Sequence, residues 1–209
     1  MARRIEQIQR NRGIRKTKKR ILFEFEGKNK TEEIYFKNFS GRNKLYNIRF
    51  AYGNDTDPVR MIKSLITYMN REEINSGFGD KIYCVFDADF DINKQKNIDV
   101  AKKMAQENGI ELIISNPSFE LWYRLHFSYT KKQYSSNKEL IEDLKTFVPE
   151  YKKNMNIYEQ IKNKEKDAIE NNKKLEEEQL QDGKTLFSIH CNPYTSVYKI
   201  LEYMLNLEE

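Results

Sequence analysis

The segment KIYCVFDADFDIN, residues 81–93, runs an apolar stretch straight into three aspartates at alternate positions, Asp87, Asp89 and Asp91. Its first half is rich in β-branched and aromatic residues and reads as a buried strand. Carboxylates gathered at a strand end repel one another unless a cation joins them. A strand that delivers acids to its own end suits an open α/β sheet, whose ligands sit outside the carboxyl ends of the strands.

The surrounding chain repeats the alternation such a sheet needs. RILFEFEG at 20–27 is a β-rich run ending in Glu26 and Gly27, and TEEIYFKNF follows as a helix with Thr31 as its expected N-cap. A second strand, YNIRFAYG, leads to Asp57 and Pro58, a capping residue with proline at the first helical position, opening a helix through residue 74. KIYCVF is the third strand, residues 94–108 the next helix, and IELIIS the fourth strand. This order predicts a parallel three-layer α/β sheet. Beyond Ser115 the strand signals stop. NPSFELWYRLHF reads as a buried helix capped by Asn116 with Pro117 first, and 137–148 and 152–181 read as further helices. The latter carries a thin stripe of Tyr158, Ile161, Ala168 and Leu175 and is closed by Gly183, and NPYTSVYKILEYML reads as a second Asn-Pro helix start. The expected organisation is a basic arm at 1–19, an α/β domain at 20–130 and a helical C-terminal extension at 131–209 packed on it.

Charge is unevenly placed. Residues 1–20 hold nine basic side chains against one acidic, so this segment carries +8 of a chain whose net charge is +5. A basic arm on a near-neutral body is a common way to hold phosphate backbones, and Arg12, Arg15, Lys16, Lys18, Lys19 and Arg20 are its candidate contacts. A solvated tail is the plainer alternative. No apolar run approaches the roughly 18 residues of a membrane span, and no apolar stretch follows the basic N-terminus as in a secretory signal. Two cysteines without partners at ligand spacing fit a reducing cytoplasm.

The strand-end rule singles out Glu26, Asp87 and Asp89. Hard oxygen donors of this kind suit Mg²⁺ or Mn²⁺, although aspartates are also common turn residues. Lys28 and Lys30, in the loop after the first strand, are candidate phosphate contacts. Glu120 has a rival partner in Arg124 one helical turn on. Trp122, Phe119 and His126 read as core, and no glycine-rich phosphate loop is present, so an ATPase activity would belong to another chain.

FEFEGKNKTEEIYF, CVFDADF, SNPSFELWYRLHF and NPYTSVYKIL together resemble the motifs of the RloB family, proteins with a TOPRIM-like domain. The resemblance spans essentially the whole chain. It departs from the family at Ala88 and Phe90, where charged residues are frequent. It implies a Rossmann-like parallel sheet in which Glu26, Asp87 and Asp89 bind Mg²⁺ (or Mn²⁺) for phosphodiester chemistry, with Glu32 and Glu120 as further motif acids that could serve a second ion. It further implies a nuclease acting on RNA, tRNA or DNA in an antiphage abortive-infection system beside an ABC-type ATPase partner. A homodimer, and a non-catalytic nucleic-acid-binding or docking module, stay open as alternatives.

Overall fold

A computed structural model describes residues 18–28, 30–88 and 92–208, without the side chains of residues 92 and 93. Strands β1 (Lys19–Phe25), β2 (Tyr46–Phe50), β3 (Lys81–Asp87), β4 (Glu111–Asn116) and β5 (Tyr194–Thr195) form one sheet in the order β2-β1-β3-β4-β5. The three pairings among β1–β4 are parallel, as the alternation predicts, while β5 lies antiparallel on β4. The fold is α/β, a mostly parallel sheet flanked by helices, consistent with a Rossmann-like architecture.

β1, β3 and β4 bury both faces, and alternation sorts their side chains into two cores, while β2 at the edge exposes Asn47 and Arg49. Ile21, Phe23 and Phe25 of β1 face one side, where α1 (Thr31–Lys37), α4 (Glu120–Leu125) and α8 (Tyr198–Asn206) add Tyr35, Phe36, Trp122, Leu201 and Met204. Leu22, Cys84 and Phe86 face the other, under α2 (Pro58–Glu72) and α3 (Ile92–Glu107). Residues expected in the C-terminal extension, including Leu144, Val148, Tyr151 and Ile161, pack into the first of these cores.

The Asp57-Pro58 start holds: Asp57 accepts the Arg60 N–H at 3.0 Å. Thr31 is the first helical residue instead of the cap, and its hydroxyl accepts the Asn154 N–H at 3.3 Å. Asn116 does not cap a helix either. It closes β4, and its amide donates to the carbonyls of Ile189 and Cys191, both at 2.9 Å, so α4 begins four residues later. The expected helix over 152–181 is interrupted, forming α6 (Tyr158–Ile161), a short 3₁₀ turn and α7 (Glu165–Gln181), with α5 (Asn137–Lys145) before it. The second Asn-Pro, too, precedes a strand, β5, because Asn116 and Ser115 at the end of β4 offer Tyr194 and Thr195 an unfilled edge.

Candidate functional site

Because β1 lies between β2 and β3, the chain leaves β1 and β3 toward opposite sides, and the carboxyl ends of these two neighbours bound a crevice. Glu26 follows β1 and Asp87 closes β3. The Asp87 N–H donates to Glu26 Oε2 at 2.9 Å, and Glu26 Oε1 accepts from Lys94 Nζ at 2.8 Å. Lys94 and Glu26 are largely shielded, with side chains 9% and 16% exposed, so this ion pair is scarcely screened by solvent. Gly27 turns the chain away at φ +63°, a conformation glycine adopts without strain, and its N–H donates to Asp55 O at 2.9 Å.

Two more carboxyls approach from the opposite core. Glu32, in the first turn of α1, and Glu120, first in α4, are both buried. Glu120 Oε2 accepts from Ser118 Oγ at 2.7 Å and Oε1 from Tyr151 Oη at 3.0 Å, which fixes the carboxylate between two hydroxyl donors. The pairing with Arg124 is not made. Arg124 turns to Asp143 at 3.0 Å and to Ser128, which leaves Ser118 and Tyr151 as the donors that hold Glu120. Burial, then the nearby carboxylates of Glu120 and Glu26, push the Glu32 carboxyl up to about 8. At neutral pH it keeps its proton.

Glu26, Glu32 and Asp87 line one open cleft with Gly27 and Lys28, and residues remote in sequence, Asn137 and Lys153, complete it. Asn137 Oδ1 is buried there without a hydrogen-bond partner, and Lys153 draws Glu32 toward ionisation. Lys94, Asn137 and Lys153 carry no motif, and only their placement brings them to the site. Asp89 lies outside the described residues, as do Arg12, Arg15 and Lys16. Among the described residues no group of three or more His, Cys, Asp or Glu is gathered closely enough to hold a metal ion. The carboxyls of Glu26, Glu32 and Asp87 would offer a hard cation oxygen ligands alone, and burial, with repulsion from Glu120 and Glu26 adding to it, raises the Glu32 pKa while no cation is there.

The basic candidates separate by role. Lys28 is exposed at the cleft. Lys30 Nζ donates to Gly53 O at 2.7 Å, holding the loop after β2. Arg20 is spent on structure: its guanidinium bonds Asp80 at 2.6 Å and the carbonyls of Glu72 and Glu73, tying β1 to the end of α2. Lys18 donates to Arg42 O at 2.6 Å, and Lys19 is exposed beside Gly79. Trp122, Phe119 and His126 are core. Burial pushes the His126 imidazole down to about 4, leaving it neutral with Nδ1 on the Trp122 carbonyl.

No curated protein and no solved structure matches the chain. The family model of RloB-like proteins matches residues 21–204, from the third residue of β1 to the last helix, and so takes in every described carboxylate of the cleft. On that match the chain belongs to the RloB-like protein family.

Proposed function

We propose that this chain is a Mg²⁺-dependent (or Mn²⁺-dependent) TOPRIM-type endonuclease that cleaves phosphodiester bonds in nucleic acid. The observation that carries this reading is the meeting of Glu26 and Asp87 at the carboxyl edge with two buried carboxyls, Glu32 and Glu120, from the other face of the sheet. A divalent ion there would supply Lewis acidity and lower the pKa of an attacking water. Asp87 and Glu26, with Asp89 expected beside them, would hold it, and Glu32 and Glu120 would serve a second. Lys94 neutralises Glu26 and fixes its direction, while the Ser118 and Tyr151 hydroxyls orient Glu120. An ion bound at Glu32 would displace the proton that burial holds there, and Lys28 and Lys153 are cations at the rim of the cleft for a substrate phosphate.

Membership of the RloB-like family is consistent with a defence-locus setting, and we assign the chain the role of effector in an abortive-infection system with an ABC-type ATPase partner. No described helix is long and apolar enough to cross a membrane. A non-catalytic nucleic-acid-binding module is the second reading. It is favoured by the engagement of both Glu26 oxygens within the protein and by the lack of a three-acid cluster among the described residues.

The test is cleavage of labelled tRNA, single-stranded RNA and duplex DNA by purified protein with Mg²⁺, Mn²⁺ or EDTA, beside Asp87→Ala. Metal-dependent cleavage lost in the variant supports the nuclease. Binding without cleavage under every condition supports the second reading.

A further inference from the structure

Beyond the carboxylate cleft, the outer side of α2 forms a surface that core packing leaves unexplained. Tyr52, in the loop after β2, is 84% exposed, and with Tyr68 and Arg71 of α2 it lines a groove of ≈ 340 Å³ whose wall carries the Ser64 and Thr67 hydroxyls. The Arg71 guanidinium lies 4.9 Å from the Tyr68 ring centroid, and its Nε also meets Glu72 at 2.9 Å. Past the end of α2, Arg20 grips the Glu72 and Glu73 carbonyls, and beside Arg20 a second hollow is lined by Lys18, Lys19 and Phe78, the last 81% exposed. At its other end the groove reaches Gly53, which packs on the buried Glu24 carboxylate and whose carbonyl Lys30 pins. Asp55 of the same loop accepts from Gly27, next to Glu26.

We propose that this groove binds unpaired nucleotides and guides a single-stranded segment of RNA or DNA along α2 to the Glu26–Asp87 edge. The chemistry selects this occupant. Isolated aromatic faces beside guanidinium and ammonium groups suit bases that stack and phosphates that pair, and only unpaired bases offer their faces. A protein partner has less to bury here, because the exposed rings are separated by charged and hydroxyl side chains. The inference rests on the nuclease reading for its direction toward Glu26, but binding itself needs no catalysis.

The test therefore uses equilibrium binding in EDTA, with fluorescein-labelled 12-mer poly-U RNA, its single-stranded DNA counterpart and a 12-base-pair duplex. The proteins are the full chain and its Tyr52→Ala, Tyr52→Phe and Arg71→Gln variants. Tyr52 is almost wholly exposed, so its loss leaves the melting temperature in place. Single strands are expected to bind more tightly than the duplex. Tyr52→Ala is expected to weaken single-strand binding about 5- to 100-fold, the range for losing one stacked base. Tyr52→Phe keeps the parent affinity, and Arg71→Gln flattens the salt dependence. Equal affinity for duplex and single strand, or no change in Tyr52→Ala, overturns the track even if the protein cleaves. Single-strand binding lost in Tyr52→Ala by a protein that never cleaves upholds the track and refutes the nuclease.

Discussion

Glu24→Gln isolates a carboxylate that burial makes costly to ionise. Glu24 lies on β1 between Phe23 and Phe25 and is fully buried against Gly53, and neither carboxyl oxygen makes a hydrogen bond of ordinary geometry, the Gly53 backbone alone lying close by. Burial lifts its pKa from 4.5 to about 7, and the Lys30 ammonium and Gly53 backbone offset only part of that. A raised carboxyl pKa means that the folded chain keeps its proton longer than the unfolded chain, so stability falls as pH rises from 4.5 to 7 and then levels off. At pH 5 the native acid is protonated while the unfolded one is partly ionised, a cost of about 1 kcal/mol; at pH 8 both are ionised and the cost approaches about 3 kcal/mol. Glutamine has nearly the same shape and no charge, so its own burial adds a constant. The advantage of Glu24→Gln over the parent should therefore grow by about 2 kcal/mol between pH 5 and pH 8, or about 4 to 8 °C in melting temperature for a chain of this size. Urea denaturation of both proteins in EDTA at pH 5, 6, 7 and 8 measures it directly. Glu32 titrates over a similar range but is common to both, and cancels. A difference that stays flat with pH would refute the burial argument.

The same geometry makes other outcomes measurable. Lys94→Met leaves Glu26 shielded without its cation, and should cost about 3 kcal/mol in EDTA, with Mg²⁺ returning more stability to the variant than to the parent in thermal melts. Gly53→Ala forces a methyl group into the Glu24 carboxylate and should cost about 1 to 3 kcal/mol, a loss that shrinks when Glu24→Ala is added in a double-mutant cycle. Asp87→Asn should lower metal-dependent cleavage of labelled nucleic acid at least about 100-fold.

Local chemistry alone wrote much of this protein into its sequence. Continuous apolar, β-branched and aromatic runs mark β1 and β3, the Asp57-Pro58 pair marks the start of α2, and Gly183 marks the end of α7, because each signal acts within a few residues of backbone. The position of Glu26 and Asp87 at strand ends was legible for the same reason. Their adjacency was not: it required β1 to sit beside β3 in the sheet, an outcome of hydrogen bonding between segments separated by β2 and α2. Asn116 carried a helix-start signal that lost to the carbonyls of Ile189 and Cys191, and Thr31 one that lost to Asn154, because tertiary donors and acceptors compete with local caps on equal terms. Arg124 likewise left its helical neighbour Glu120 for Asp143. The two-residue β5 has too little sequence to announce itself and exists only where β4 presents an open edge. Lys94, Asn137 and Lys153 reached the cleft by packing alone, so the sequence named the acids of the site and the tertiary structure chose the residues around them.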